Sequence, residues 1–469
     1  EPFWQISLDG LYKKSKIEAW HEGDKIFDKK KVDNIMKNVK GKKKALVTDV
    51  KRTKREQNPP TPFNLSDLQG ESYAQFKYTP KMTLAIAQKL YLAGVTSYPR
   101  TSSQKLDPKL GFKKILTSLA KQPVYEKLAK ELLKGELKPN NGTKDDPAHP
   151  AIYPTGNTPK TLTAQEKKVY DLIVKRFMAT FAAAALRETM TVSLDVNKER
   201  FIVKGTRTLI ENWHVFYKPY VKVDDVELPD MKESEEVTVK KIEKHDKETQ
   251  PPKRFNQSSI IKELEKHNLG TKATRADILD RLFQRGYVEG VQITVTKLGI
   301  ETIKVLEKFA HTIIDEELTG QFEEDMEKIR AKKNKPETVL NKAKKVLHDL
   351  LKDFKTKEKA IGKEILTSVR QALEEANYMG PCPKCKKGTL KIRRGKFGRF
   401  IGCDKYPDCK TILNVPKVGV LKFSGKDCEV CKYPIAMVGQ GKRGRKLCLN
   451  PDCKTKEQKK KKKGYKEEG

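Results

Sequence analysis

Eight cysteines, all between Cys382 and Cys453, carry the plainest chemistry in this 469-residue sequence. They fall into two similar sets. The first is Cys382-Pro-Lys-Cys385, then Cys403 and Cys409; the second is Cys428-Glu-Val-Cys431, then Cys448 and Cys453. Zn²⁺ favours four soft ligands in a tetrahedron, and a tight Cys-x-x-Cys turn presents two thiolates at one corner. A unit this small has little core of its own, so the metal supplies its folding free energy. Two structural Zn²⁺ sites in two four-cysteine ribbons are expected. Four disulfides are the weaker alternative, because no charged-then-apolar leader opens the sequence and the repeat uses every cysteine. Between the ligands of the first set lie Lys391, Arg393, Arg394, Lys396 and Arg399, with Phe397, Phe400 and Tyr406. Cations interleaved with rings suit single-stranded nucleic acid, through phosphate pairing and base stacking. A purely structural or protein-binding ribbon is the competing reading.

The charge balance points the same way. Lysine and arginine number 98 against 62 acidic residues, a net +36. Such an excess implies a polyanionic partner, because neutralising phosphates releases counterions. Lysine runs stand at Lys29–Lys31, Lys42–Lys44 and Lys459–Lys463; any one alone reads as a solvated face. Nucleic acid is favoured over an anionic membrane, and no membrane partner is expected. No basic amphipathic helix with a Trp or Phe face stands out, and the longest apolar run, Phe181–Leu186, is too short to cross a bilayer. At about 150 residues per domain the length suggests roughly three domains.

Several elements must position these groups. Ala45–Val50 alternates as a strand, and Val32–Val39 reads as a helix. Pro59-Pro-Thr-Pro62 is a stiff breaker. A helix over Pro80–Ala93 carries Met82, Ile86 and Leu90 on one stripe, with Gly94 as its stop. Thr163-Ala-Gln-Glu166 is a capping box opening a helix through Val169, Leu172, Ile173 and Phe177. Met190, Val192, Leu194 and Val196 alternate as a strand, with Phe201–Val203 as its return. A helix with Ile260, Ile261 and Leu264 stops at Gly270. A second starts at Thr274, its N-cap, and carries Ile278, Leu279 and Leu282. Two short strands, Tyr287-Val288 and Gln292–Thr296, complete a helix, turn, helix, hairpin order, that of winged-helix proteins. A long helix over Glu337–Ala376 keeps Val339, Ala343, Val346, Leu350 and Phe354 on one face.

The segment KLYLAGVTSYPRTSSQ, Lys89 to Gln104, resembles the active-site segment of type IA DNA topoisomerases. Further matches follow in order: PPTPFNLSDLQ (Pro59 to Gln69), HPAIYPT (His149 to Thr155), KKVYDLIVKRFMA (Lys167 to Ala179), GTKATRADILDRLFQRGYV (Gly270 to Val288) and FGRFIGCDKYPDCK (Phe397 to Lys410). The Thr-x-Ala-Thr-Arg form at Thr271–Arg275 is similar to topoisomerase III and archaeal topoisomerase I members. The resemblance implies a multidomain α+β fold: a toroidal core with winged-helix-like domains and a β-rich arch, then two zinc ribbons. The implied domains are residues 1–58 and 189–252 for the two parts of the arch, 59–188 for the catalytic-tyrosine domain, and 253–374 for a helical, winged-helix-like DNA-binding domain. The ribbons take 375–416 and 420–458, and a basic tail takes 459–469.

The resemblance also implies the site. Tyr98 forms a 5′-phosphotyrosine link, with Arg100 and His149 beside it, while Thr271, Thr274, Arg275, Ser102 and Gln104 contact DNA. A tyrosine has an ordinary pKa near 10, so it needs a positive field or a base to attack phosphorus at neutral pH. Pro99 biases Tyr98 towards an extended backbone, which places Arg100 on the same face. The expected activity is cleavage of one strand, strand passage and resealing without ATP, relaxing negatively supercoiled DNA. The alternative is a non-catalytic zinc-ribbon DNA-binding protein. The family binds Mg²⁺ through a Glu and an Asp-x-Asp-x-Glu run in an N-terminal (Toprim) domain, and no Asp-x-Asp occurs here. Mg²⁺ is therefore expected in the complete enzyme, with ligands outside this chain. The sequence starts at Glu1 and reads as the C-terminal part of a longer product, or as the partner of a separate chain, and as inactive alone. The implied protein is monomeric, cytoplasmic, nucleoid-associated and archaeal, and prefers single-stranded or negatively supercoiled DNA.

Overall fold

Alternating apolar residues build the first strands. In β1 (Pro2–Tyr12), Ile6, Leu8 and Tyr12 share a buried face, as do Ile17 and Ala19 in β2 (Ser15–His21). Helix α1 (Lys29–Val39) starts where the Asp28 carboxylate accepts from Lys30 N–H, and it buries Val32, Ile35 and Val39. β3 (Lys44–Gln57) follows. The chain then makes a long helical excursion before β4 (Ala185–Val196), β5 (Glu199–Ile210) and β6 (Glu236–Glu248). These six strands close a barrel in the order β1-β2-β5-β4-β3-β6. The seam pairs Pro2 with Glu248, and β3 pairs with β4 from Leu46↔Asp195 to Gln57↔Ala185. Ile6, Leu8, Val47, Val192, Leu194, Phe201 and Val237 fill the interior together with the apolar face of α1. The structure is a computed structural model that describes residues 1–395, 398–416, 421–439 and 445–455. It separates into two compact units, Glu1–Lys253 and Arg254–Gly469.

The excursion between β3 and β4 contributes α2 (Leu65–Phe76), α3 (Pro80–Leu92), α4 (Phe112–Leu119), α5 (Glu126–Leu132) and α6 (Ala164–Ala179), and α7 (Trp213–Tyr217) joins them after β5. Thr79 caps α3 and Pro80 occupies its first turn, where a missing N–H costs nothing. Gly94, at φ +70°, ends the helix in the left-handed conformation that glycine adopts without penalty. The capping box opens α6: Thr163 Oγ1 accepts from Glu166 N–H, and the Glu166 carboxylate accepts from Thr163 N–H. Phe63, Leu68, Leu90, Leu116, Ile173 and Phe177 form the core, with α6 at its centre.

In the second unit α8 (Gln257–Lys266) and α9 (Arg275–Gln284) precede a hairpin of β7 (Val288–Glu289) and β8 (Thr294–Val295). The expected helix, turn, helix, hairpin order is present. Thr274 departs from expectation. Its hydroxyl does not cap α9 but turns back to Thr271, accepting from Thr271 N–H at 2.9 Å, because its backbone is already helical. Helices α10 (Lys297–Phe309), α11 (Glu316–Arg330) and α12 (Pro336–Asn377) follow, with Val339 buried and Ala343, Val346, Leu350 and Phe354 half-buried on the inner face of α12. Two small sheets end the described chain. The first runs β12-β11-β10-β9, from β9 (Tyr378–Pro381), β10 (Thr389–Gly395), β11 (Gly398–Cys403) and β12 (Ile412–Asn414). The second comprises β13 (Leu421–Asp427), β14 (Pro434–Val438) and β15 (Arg445–Cys448). Lys396, Phe397 and the 459–469 tail with Lys459–Lys463 lie outside the described residues. Among the described residues no helix is long and apolar enough to cross a membrane.

Candidate active site

Beyond Gly94 the chain runs as a strap from Val95 to Leu106, laced to the 141–155 segment by polar rungs. Ser97 N–H donates to the Tyr153 carbonyl (2.9 Å), and Tyr153 N–H returns a bond to Ser97 Oγ (3.0 Å). Thr155 N–H donates to the Val95 carbonyl, and its hydroxyl donates to the Gly94 carbonyl at 2.7 Å. Lower down, Thr101 Oγ1 donates to the His149 carbonyl at 3.0 Å, and Ala151 N–H donates to the Lys105 carbonyl. Asn141 closes the strap by exchanging two bonds with the Leu106 backbone. Thr101 and Ser103 are both buried, and each hydroxyl accepts the N–H two residues on, at 3.0 Å. Buried hydroxyls used this way satisfy backbone that no sheet partner serves.

This lacing sets the Tyr98 ring against His149, with ring centroids 4.7 Å apart. The Tyr91 ring, from the last turn of α3, meets Tyr98 from another side at 5.3 Å, edge to face. Tyr98 and His149 are both half-buried, so their edges reach solvent. Arg100 is half-buried beside them in sequence, but the extended path expected for it is absent. Thr101 N–H donates to the Pro99 carbonyl, a γ-turn centred on Arg100, so strand alternation does not set where this side chain points. Ser102 and Gln104 are engaged within the protein. Ser102 Oγ reaches the Asp145 carbonyl and the Asp146 carboxylate, both at 3.3 Å, and the Gln104 amide donates to Asp67 at 2.7 Å.

The other expected DNA contacts lie in the second unit. Thr271 and Thr274 hydroxyls pair at 3.1 Å ahead of α9, and Arg275 Nε donates to the Leu269 carbonyl. Burial pulls the Arg275 guanidinium below its ordinary pKa. The ribbon cations Arg393 and Arg394 pair across the hairpin with Phe400 and Arg399, and Tyr406 is exposed.

The cysteines converge as two quartets, Cys382/Cys385/Cys403/Cys409 and Cys428/Cys431/Cys448/Cys453, each with all sulfurs within 4.8 Å of one another. Sulfur pairs stand at 3.8 and 3.7 Å in the first and 3.7 and 3.4 Å in the second. A tetrahedron with Zn–S bonds of about 2.3 Å has edges of about 3.8 Å, so both quartets fit Zn²⁺. Thr411 Oγ1 lies 3.2 Å from Cys409 Sγ, and Thr455 Oγ1 lies 3.2 Å from Cys453 Sγ. These hydrogen bonds hold both thiols below their ordinary pKa, which favours the thiolate a metal needs. The two sites share a longer motif than cysteine spacing alone indicates: Pro407-Asp-Cys-Lys-Thr411 recurs as Pro451-Asp-Cys-Lys-Thr455. That repeat was the available signal for the two threonines. The bracing residues Ser97, Thr101, Ser103 and Thr155 carried no sequence signal beyond their hydroxyls. Among the described residues no other group of three or more His, Cys, Asp or Glu side chains is placed to hold a metal ion.

A family model described as "DNA topoisomerase" matches residues 1–341, and one described as "Topoisomerase DNA binding C4 zinc finger" matches residues 379–418. DNA topoisomerase 1 of Methanocaldococcus jannaschii is 43% identical over 97% of this chain and 59% of its own length. The Methanothermobacter thermautotrophicus protein of that name is 40% identical over 96% of this chain and 61% of its own. That of Pyrococcus horikoshii is 40% identical over 97% and 67%. The chain thus spans 59% and 61% of the first two relatives. Full-length topoisomerase I from Thermotoga maritima, at 22% identity, shares the fold with a TM-score of 0.57 over 91% of this chain and 68% of that one. The match over residues 1–341, joined to a C4 zinc ribbon and to archaeal relatives, makes this chain a member of the type IA DNA topoisomerases, of the archaeal topoisomerase I kind.

Proposed function

We propose that this chain is the strand-cleaving and strand-passing part of a topoisomerase that relaxes negatively supercoiled DNA without ATP. The carrying observation is the tilted ring contact of Tyr98 with His149, 4.7 Å between centroids, on a strap laced in place on both sides of the tyrosine. Tyr98 Oη attacks the phosphorus of one linkage in a single strand. The P–O3′ bond breaks, the phenol proton passes to the departing 3′ oxygen, and Tyr98 holds the 5′ phosphate. After another strand passes, the 3′ hydroxyl attacks the phosphotyrosine and reseals the break. Each step exchanges one phosphoester for another, so no nucleotide is hydrolysed. Arg100 pairs with non-bridging oxygens as charge develops there, and His149 hydrogen-bonds a phosphate oxygen or carries the proton.

In this reading the barrel is the β-rich arch, interrupted by the tyrosine domain. The α8, α9 and hairpin unit contacts DNA through Thr271, Thr274 and Arg275, and the zinc ribbons hold single strands. Zn²⁺ serves each ribbon as a structural ion. The residues present do not form a Mg²⁺ site: no Asp-x-Asp occurs, and the described residues hold no acidic cluster suited to a metal. The acidic groups that complete the site come from outside this chain. The test adds the acidic domain, supercoiled DNA and Mg²⁺, and compares wild type with Tyr98→Phe. Loss of relaxation with DNA binding kept is expected, together with no covalent adduct from the present chain alone on single-stranded DNA. Relaxation by Tyr98→Phe, or robust adduct from the chain alone, overturns the reading.

A further inference from the structure

The outer wall of the barrel carries a second feature that the tyrosine site does not use. On β3, β4 and β5 the outward residues lie in register as three rows. Lys51, Thr191 and Lys204 form one; Thr53, Thr189 and Thr206 the next; Arg55, Arg187 and Thr208 the third. A cavity of about 310 Å³ opens on this wall, lined by Arg55, Gln57, Arg187, Thr189 and Thr206. Two observations point to an anion there. Arg55 and Arg187 are direct cross-strand partners, and like charges so placed repel; the Asp225 carboxylate offsets one of the two. Asp225 holds one end of the Arg187 guanidinium at 2.8 Å, yet Arg187 Nε is buried without a hydrogen-bond partner. A buried charged N–H left unpaired is costly. The Thr189 and Thr206 hydroxyls sit 3.1 Å apart beside it, and the Gln57 amide oxygen lies 3.1 Å from His214 Nε2, which leaves the Gln57 NH₂ group for a ligand.

We propose that this cavity is a phosphodiester subsite, in which one backbone phosphate of a nucleic-acid strand sits between Arg55 and Arg187 and takes hydrogen bonds from Gln57 and from whichever of the paired Thr189 and Thr206 hydroxyls has its proton free. The guanidinium fork matches two phosphate oxygens, and the threonine pair supplies one donor on the third side. The flanking Lys51 and Lys204 continue the cationic track along the strands, where residues two apart repeat every ~6.8 Å. The site reads no base, so it binds any sequence. It rests on the polynucleotide partner of the proposed function, not on Tyr98 chemistry.

The test titrates the full chain into a labelled oligothymidylate at a series of salt concentrations. Arg55 is exposed, so Arg55→Gln keeps the fold. It should weaken binding about tenfold and reduce the slope of log K against log salt by about 0.7, the value for one phosphate on a single strand. Arg187→Gln should act alike, and Arg55→Lys should restore most of the slope without all of the affinity. An oligonucleotide with neutral methylphosphonate linkages should bind wild type and Arg55→Gln equally. Unchanged affinity and slope in Arg55→Gln refute the proposal. If inorganic phosphate stabilises wild type but not Arg55→Gln while oligonucleotide binding is the same, the site takes small anions and the nucleic-acid assignment is refuted. Tyr98→Phe should leave this titration unchanged, so the cleavage reading and this one fail separately.

Discussion

Thr101 offers the sharpest test of the strap. Its buried hydroxyl donates to the His149 carbonyl and accepts from Ser103 N–H, both at 3.0 Å. Thr101→Val keeps the shape and removes both bonds, leaving a carbonyl and an N–H in the interior without partners. At about 1–3 kcal/mol for each of the two groups left unsatisfied, the substitution should cost about 2–6 kcal/mol. Thr101→Ser keeps the hydroxyl and loses one methyl, about 0.8 kcal/mol. All three tryptophans, Trp4, Trp20 and Trp213, belong to the first unit, so tryptophan fluorescence follows its unfolding apart from the second. For a unit of this size about 3 kcal/mol lowers Tm by about 6–12 °C, a shift readable in one heating scan. Because the same bond ties His149 to the strap that carries Tyr98, adduct formation in the complemented enzyme should fall by about ten- to a hundredfold in Thr101→Val. Thr101→Ser should restore both readouts. A wild-type melt for Thr101→Val refutes the bracing; a lowered melt with unchanged cleavage refutes the coupling of brace to site.

Two further outcomes are expected. Metal analysis of the purified chain should find two Zn²⁺ per molecule; Cys403→Ser should leave one, lose the near-tetrahedral signature of the first ribbon in a Co²⁺ spectrum, and keep the tryptophan-reported melt of the first unit unchanged. Glu188 lies buried at the barrel mouth between Arg52 (3.2 Å) and Arg207 (2.9 Å), and the Arg207 hydrogen bond holds its carboxyl below the ordinary 4.5. A lowered folded pKa gives stability that is present above the unfolded value and is lost as pH falls through the folded one. Glu188→Gln should therefore melt lower than wild type at pH 7, with the gap closing below about pH 4.5; a gap that persists in acid refutes this role.

The elements legible in the sequence are those whose signal is local. The capping box at Thr163, the stop at Gly94 and the alternation from Met190 to Val196 each describe a constraint that a few neighbouring residues satisfy among themselves. The barrel is different. Its seam joins Pro2 to Glu248, and no local pattern encodes that register. The outer half of β3, Lys51 to Gln57, is wholly polar and carries no apolar alternation. It is a strand because β4 supplies the hydrogen-bond partners, while its cations face solvent or the barrel mouth.

The site divides along the same line. Tyr98 and His149 lie far apart in sequence, and nothing between them encodes their meeting; the lacing of the strap does. A proline-biased extended segment was expected to align Arg100 with Tyr98, and the γ-turn at Pro99–Thr101 removes that alignment. Pro99 constrains the residue before it, not the one after, so the local rule ended one residue short of the arginine. Local rules succeed again at the ribbons. There Pro-Asp-Cys-Lys-Thr recurs because each quartet meets the same need, a turn that places a thiolate and a hydroxyl to hydrogen-bond it within three residues. If that is why the threonines stand there, Thr411→Val and Thr455→Val should each weaken Zn²⁺ retention against a chelator about tenfold, the effect typical of a lost outer-shell hydrogen bond. Equal retention in both variants would leave the repeat without this physical cause.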